Sequence, residues 1–544
     1  MHTKIFWKPG AVLWLAGLLA QLLLPSFALA AQSPSADIFN PTAGVFNLGA
    51  PSSVHGLAVQ PDGKVLISGE FDTLGGQNRT NLGRVNSDGT LDLTFNPPRP
   101  FDRSTPLVVQ PDGKILVLTD GPIARLNDDG SPDLSFNPSA DQHVGCFALQ
   151  ADGKIVVGGG VFFDQYIWRL KPDGTVDGSF ANTTMNNSAG SIALQEDGKI
   201  VIGGNFTLLN GQPRSGLGRL NADGTLDTNF VPPDLAPVYS LAVQIDGKVL
   251  IGGLFETLGG QPHKGLARLN ADGTLDTSFN PQTAAGPFEQ TPVWAFAVQA
   301  DGRIVAGGVF SSLDGQTRYN LGRLNINGTL ETAFNAGTDY PCGNGCTVIY
   351  GLAGQADGKM VVGGIYGMLA GQTRVNIGRL NNGGATSHSL SFDGSVLTWM
   401  RGGTSPEVWR TTFERLDGSA WLVLGAGTRV SGGWQLTGLA GLALPTNTTI
   451  RARGYMVSGI GNTSASFVEE VLNPALTISG ARVARGMTFN VLGPAGQSVV
   501  IDVSADLRAW APLQTNTLGV AGLRFADPQA ADLPTQFYRA RAAP

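Results

Sequence analysis

An Asp-Gly pair followed by Lys or Arg recurs seven times, at Asp62, Asp112, Asp152, Asp197, Asp246, Asp301 and Asp357, about 49 residues apart on average. Nothing else in the 544-residue chain limits its fold so tightly, because the copies bring the same segments in the same order. An apolar run ending in Gln precedes the pair (Leu57-Ala58-Val59-Gln60), and a second apolar run follows it (Val249-Leu250-Ile251-Gly252-Gly253). A third segment carries Arg-Leu-Asn (Arg219-Leu220-Asn221) and a further Asp-Gly turn, and a fourth reads Thr-Leu-Asp-x-x-Phe (Thr274 to Phe279). Four short strands per unit in seven copies predict a seven-bladed β-propeller. Composition agrees: 75 Gly and 32 Pro with only 14% charged residues suit many strands and turns rather than long helices.

The turns have a chemical reason. In Asn221-Ala222-Asp223-Gly224-Thr225, Asp fits a type I turn and Gly can take the left-handed bulge position, which joins the third and fourth strands of a blade. The spacing does not follow the EF-hand ligand order, so a repeated turn explains it better than a calcium loop. Arg84, Arg125, Arg169, Arg219, Arg268 and Arg323 each precede an acid by eight residues (Asp92, Asp133, Asp177, Asp227, Asp276, Glu331). Across a bulged turn that spacing makes cross-strand ion pairs, each contributing no more than about 1 kcal/mol if exposed. Six equivalent copies argue for structure rather than catalysis.

These motifs resemble bacterial delta-60 repeats: Gln-Pro-Asp-Gly-Lys, Gly-Gly-x-Phe, Gly-Gln-x-Arg and Arg-Leu-Asn-x-Asp-Gly-Thr-Leu-Asp-x-x-Phe-Asn, over about residues 36–384. The resemblance implies propellers similar to the NHL type, often in large secreted bacterial proteins, and it carries over no catalytic residue. The second and third copies depart from it by lacking the Gly-Gln-x-Arg loop. The seventh copy loses its Leu-Asp-x-x-Phe-Asn segment after Arg379-Leu380-Asn381, while Ile38-Phe39-Asn40-Pro41 matches the missing piece. The N-terminal segment is therefore expected to supply the outer strand of the last blade, covering an open sheet edge.

Residues 1–30 read as a secretory signal peptide, with Lys4 and Lys8 before an apolar stretch and Ala28-Leu29-Ala30 as the cleavage site. The stretch is short for a membrane span, and nothing later reads as one. Residues 31–384 are the expected propeller. The repeat stops near 385, and five of the nine Trp lie between Trp399 and Trp510. Residues 385–472 read as an immunoglobulin- or fibronectin-like β-sandwich and 473–544 as a small β-module. The fold class is all-β. The Trp residues of these modules read as core before ligand platforms. Of three Cys, Cys342 and Cys346 flank a Gly-Asn-Gly loop and can form a local disulfide or stay free, while Cys146 reads as a buried core residue.

No nucleophile elbow, His-Glu-x-x-His helix or phosphate loop occurs, so no catalytic residue and no cofactor is assigned. A formal charge of −6 gives no reason to expect nucleic acid. Binding is expected on the face carrying the Gly-Gln-x-Arg loops, with Arg318 and Arg374. Aligning the first strands brings one position per blade to that mouth: His55, Thr105, Gly145, Gly190, Tyr239, Trp294 and Tyr350. Because the ring closes, His55, Tyr239, Trp294 and Tyr350 form one large arc opposite a small one. Rings with polar tips suit a sugar or peptide; the plainer reading is that they plug gaps between blades. The sequence thus reads as a secreted, monomeric, non-catalytic binding or scaffold protein for an extracellular glycan or protein. One alternative is an exported metal-dependent hydrolase or lactonase with Glu70, Asp120 and Asn205 near the channel mouth. The other is a cell-surface or adhesion component.

Overall fold

In blade five, the apolar runs on either side of the Asp246-Gly247 turn become the strands Val238–Val243 and Val249–Gly253. Gly247 closes the turn at φ 78°, a conformation that favours glycine. Leu266–Leu269 adds the third strand, and a bridge from Leu269 to Leu275 marks the outer one. The same antiparallel order repeats around a seven-bladed β-propeller. This computed structural model describes residues 34–44, 52–98, 101, 106–119, 122–138, 143–161, 164–234, 237–284, 291–339, 347–439, 448–472, 477–483, 486–492, 498–504, 510–519, 523–527 and 537–542. Each blade packs on the next through a dry layer. Ala242, Leu250 and Leu266 of blade five meet Val293, Phe296 and Ile304 of blade six, and Val54 and Leu57 of blade one meet Val361 and Ile377 of blade seven. Ser35–Ala36 lies antiparallel to Ile377–Asn381, pairing Ser35 with Asn381 and Ala36 with Leu380.

The expected Arg–acid pairs form, and their arginines are buried except for the half-buried Arg125, so the small value of an exposed pair does not apply to them. Arg219 Nε meets Asp227 Oδ2 at 2.8 Å, its guanidinium lies over the Phe230 ring at 4.4 Å, and its Nη1 donates to the Ala271 carbonyl of the next blade at 2.6 Å. Blade seven repeats this with the N-terminal segment: Arg379 meets Asp37 at 2.8 Å, covers Phe39 at 4.7 Å and donates to Ser87 O of blade one at 2.7 Å. Each arginine therefore ties two strands of its own blade and the blade beside it. Asp92 stays ionised: burial raises its pKa, but hydrogen bonds from Thr94, Lys64 and Arg84 more than offset it and hold it well below the usual range.

Beyond the ring, Thr386–Phe392, Leu397–Gly403, Gly433–Leu436 and Thr428–Val430 form one four-stranded sheet. Arg410–Asp417, Ala420–Ala426, Ile450–Ser458 and Ser464–Leu472 form another. Trp399, Trp434, Phe413 and Ala452 are buried in their shared core. This layer covers the propeller face that bears the turns between first and second strands: Ala300 N donates to Ser405 O (2.8 Å) and Glu407 N to Val298 O (2.8 Å). The hairpin of Ile450–Ser458 and Ser464–Leu472 then enters the central channel. Ser458 Oγ donates to Leu57 O at 2.6 Å, and Ala465 pairs in parallel with Val108. Asn462 accepts from Phe296 N and donates to Phe296 O, both at 3.0 Å, as a strand neighbour would. The last segment holds two three-stranded sheets around Phe489, Val499, Ile501 and Phe525. Among the described residues no helix is long and apolar enough to cross a membrane.

Candidate functional site

The Gly-Gly pairs of the second strands shape the open mouth. In six blades the first strand carries a β-bulge, between Val54 and Gly56, Val144 and Cys146, Ala189 and Ser191, Val238 and Ser240, Val293 and Ala295, and Ile349 and Gly351. Opposite each bulge stands a glycine. A Cβ on Gly204 would lie 2.2 Å from Ser188 O, on Gly253 2.2 Å from Pro237 O and on Gly364 1.9 Å from Val348 O. No side chain fits there, so glycine lets the bulged strand approach. The residue left unpaired by each bulge is His55, Gly145, Gly190, Tyr239, Trp294 or Tyr350. A bulge re-aims its extra residue, and repeating it around a ring points one residue per blade at a common axis. Thr105, the blade-two member, lies outside the described residues.

The four large members touch in sequence. His55 meets the Tyr350 ring edge-on with centroids 4.5 Å apart, Tyr350 meets Trp294 edge-on at 5.9 Å, and Trp294 stacks on Tyr239 at 4.4 Å and 13°. All four are half-buried, whereas Gly145 and Gly190 are exposed. The hairpin supports the wall from below. A Cβ on Gly461 would lie 2.7 Å from Tyr239 O and 3.2 Å from Gly190 O, so this φ 59° glycine allows contact with both arcs. Burial lowers the His55 pKa to about 4, and its Nδ1 finds no partner in the structure. Burial also raises the Tyr239 pKa. At neutral pH the wall therefore carries no charge. It can pack flat apolar faces and offer ring N–H and O–H groups at its edge.

The other residues singled out in the sequence fare differently. Arg318 is buried: Nε donates to Phe334 O (3.0 Å), Nη1 to Thr317 O (2.7 Å) and Nη2 to Thr332 O (2.8 Å). Arg374 donates to Thr373 O at 2.7 Å and to Asp37 O. Both hold backbone at the edge of their blades, Arg318 from a buried position and Arg374 from a half-buried one. Glu70 ends a second strand opposite Ser53, and exposed Asn205 follows the second strand of blade four. Asp120 lies outside the described residues, as do Cys342 and Cys346, the proposed disulfide, and the whole of residues 1–33. Among the described residues no three His, Cys, Asp or Glu side chains gather as a metal site. Cys146 is free and buried, and burial pushes its thiol up to about 12. Sequence reasoning missed the hairpin in the channel; its one local signal is Ser458-Gly459-Ile460-Gly461-Asn462, a glycine turn flanked by small polar residues.

Seven segments match a family model described as a domain of unknown function (DUF5122) beta-propeller: residues 60–95, 110–136, 150–180, 195–230, 244–279, 299–334 and 355–386. No curated protein matches the chain. Among solved structures, a streptogramin B lyase is 19% identical, with 64% of this chain and 99% of that one covered and a TM-score of 0.41. A catalytically inactive virginiamycin B lyase from Staphylococcus aureus with quinupristin is 15% identical, with 64% and 99% covered and a TM-score of 0.33. A gluconolactonase from Xanthomonas campestris is 14% identical, with 50% and 93% covered and a TM-score of 0.29.

Proposed function

The seven repeats of this chain belong to the DUF5122 β-propeller family, and since membership brings a ring without an assigned chemistry, we propose that the protein is an exported, non-catalytic binding protein for an extracellular glycan. The mouth opposite the sandwich is the binding surface, and its aromatic arc is the recognition element. One observation carries the reading: His55, Tyr350, Trp294 and Tyr239 form an unbroken, half-exposed chain of rings built on bulges. Packing between blades alone would not need four neighbouring bulges to carry rings while two others carry glycine. A neutral sugar suits the wall because its C–H faces pack on Trp294 and Tyr239 while its hydroxyls meet the polar ring edges. Export rests on the residue pattern of positions 1–30.

The test is a glycan array probed with the mature chain, followed by titration calorimetry on the best neutral oligosaccharide. Trp294→Ala should weaken binding at least tenfold while the melting temperature stays near that of the parent. Unchanged affinity in Trp294→Ala, or hits confined to peptides on a parallel peptide array, would refute the glycan reading.

A further inference from the structure

On the opposite face, the sandwich stands over the turns of blades three to five and leaves a cleft with two lobes, about 550 Å³ and 330 Å³. Both are lined by Trp409, Trp434, Gln195 and Glu196, so they form one elongated cleft. The larger lobe alone lies within the range of small-molecule sites, roughly 300–1,000 Å³.

Its wall holds a buried cation with no salt-bridge partner among the described residues. Arg410 lines the larger lobe and is only 8% exposed. Its guanidinium lies 3.5 Å from the Tyr455 ring centroid and 5.2 Å from that of Trp409. Its Nε has no acceptor and no described carboxylate forms a salt bridge with it; the Tyr455 side chain hydrogen-bonds it, and Asp152 attracts it from a distance. Three other arginines of these sheets are paired: Arg429 with Glu407 at 2.7 Å, Arg453 with Glu469 at 2.7 Å and Arg451 with Glu469 at 3.1 Å. A buried charge without a salt bridge is costly, and a ligand carboxylate placed against Arg410 would supply the missing pair. Asp152 and Glu196 also line this lobe from the propeller side, both exposed, and Asp152 lies 3.7 Å from Lys154. The lobe around Arg410 also presents the indole of Trp409 and several amide and hydroxyl side chains: Gln150, Gln195, Thr412 and Thr428.

We propose that this cleft is a second ligand site, distinct from the open mouth, and that it takes a sugar acid whose carboxylate pairs with Arg410 and whose ring lies on Trp409. The planar guanidinium suits a carboxylate through two parallel hydrogen bonds, and the amides and hydroxyls suit ring hydroxyls. A simple inorganic anion would use the arginine and leave the indole idle.

Titration calorimetry of the mature chain at low salt, with glucuronate and with glucose as probes, tests this. Glucuronate should bind and glucose should bind at least tenfold more weakly. Arg410→Gln should abolish the difference, and Trp294→Ala should leave glucuronate binding intact, which separates this site from the mouth. Because Arg410→Gln alters a packed residue, Glu196→Gln gives an independent arm. Removing an exposed negative charge from the opposite wall should tighten glucuronate several-fold. Equal affinity for the two sugars, no glucuronate binding, full retention in folded Arg410→Gln, or no gain in Glu196→Gln would each overturn the proposal.

Discussion

The propeller contains two rings of repeated residues, and they follow opposite rules. Toward the rim, an arginine, an acid and a phenylalanine recur with nearly constant geometry, the guanidinium-to-ring distance running only from 4.3 to 4.9 Å. Around the channel, the bulged position is equally regular in backbone but changes from glycine to tryptophan in side chain. The rim ring closes the circle, so every blade must solve the same problem in the same way. The inner ring faces an open mouth, so its side chains are free to differ. Uniform side chains mark support, and varied side chains on a uniform backbone mark a surface available for recognition.

The comparison breaks if the rim ring proves dispensable. Arg268 is 5% exposed, meets Asp276 at 2.7 Å, covers Phe279 at 4.3 Å and donates to Ile326 O of blade six at 2.6 Å. Arg268→Ala takes one of two cations from the buried Asp276 carboxylate, which keeps Lys248 at 2.8 Å, and unpairs the Ile326 carbonyl and the Phe279 ring face, so it should cost about 3 kcal/mol. Arg219→Ala should cost a similar amount, because its surroundings are the same. Denaturant unfolding of both variants checks this, and a loss under about 1 kcal/mol in either would show that the staple is decorative.

Acid separates the two rings. With a folded pKa of about 4 against 6.5 in the unfolded chain, His55 binds its proton more weakly when folded. Stability is therefore lost as pH falls from about 6.5 to about 4, by up to about 3 kcal/mol once both states are protonated. The rim acids Asp133 and Asp177 have depressed pKa values, so their contribution is present above the ordinary carboxylate value and disappears only as pH falls below it. Asp133 owes this first to its hydrogen bond from Lys114, and Asp177 first to its bond from Ser179. Comparing the parent with His55→Phe between pH 7 and pH 4.5 should show a slope of about 2–3 kcal/mol in the parent that the variant lacks. Parallel pH profiles would mean His55 is already solvated.

The rim ring was the more legible of the two. An eight-residue interval from Arg to acid, and a Phe three residues beyond, are local facts. The second-neighbour contacts were not legible: Arg219 reaches Ala271 across 52 residues, and Arg318 engages carbonyls 14 and 16 residues away, so these partners depend on the fold. Aligning the copies did bring out the arc positions, but their being bulges was hidden, because a bulge leaves its mark on the facing strand as Gly-Gly. The channel hairpin was the least legible. Ser458 bonds a residue 401 positions earlier, and no periodicity encodes such a contact.

That hairpin supports the inner ring from beneath. Asn462 is 2% exposed and satisfies both backbone groups of Phe296 with its side-chain amide. Asn462→Ala leaves a buried N–H and C=O without partners and should cost about 2 kcal/mol. It should also weaken any ligand of the mouth, since Trp294 lies two residues from Phe296. Asn462→Asp keeps the acceptor but loses the donor and should fall between the two. Equal stability of all three proteins would mean that water replaces the amide, and that the mouth needs no floor.

The smallest expected effect concerns the glycine side of the inner ring. Gly190 is exposed, its φ is not in the left-handed range, and a Cβ there would meet only Val238 O at 3.8 Å. Nothing in the backbone demands glycine, unlike Gly204 on the facing strand, where a Cβ would meet Ser188 O at 2.2 Å. Gly190→Tyr should therefore change stability by less than about 1 kcal/mol, the loss of unfolded-state freedom offsetting the ordering of the new side chain. Blade four neighbours blade five, so the new ring would extend the arc beyond Tyr239. An added aromatic contact contributes about 0.5–1.5 kcal/mol, so a neutral oligosaccharide held by the arc should bind a few-fold more tightly. Calorimetry on Gly190→Tyr decides between two uses of the small side. Tighter binding means the glycines merely leave the wall unfinished. Abolished binding in a protein of unchanged stability means the ligand's bulk sits over Gly190 and Gly145, and the aromatic arc is then only one wall of a seat that the glycines make.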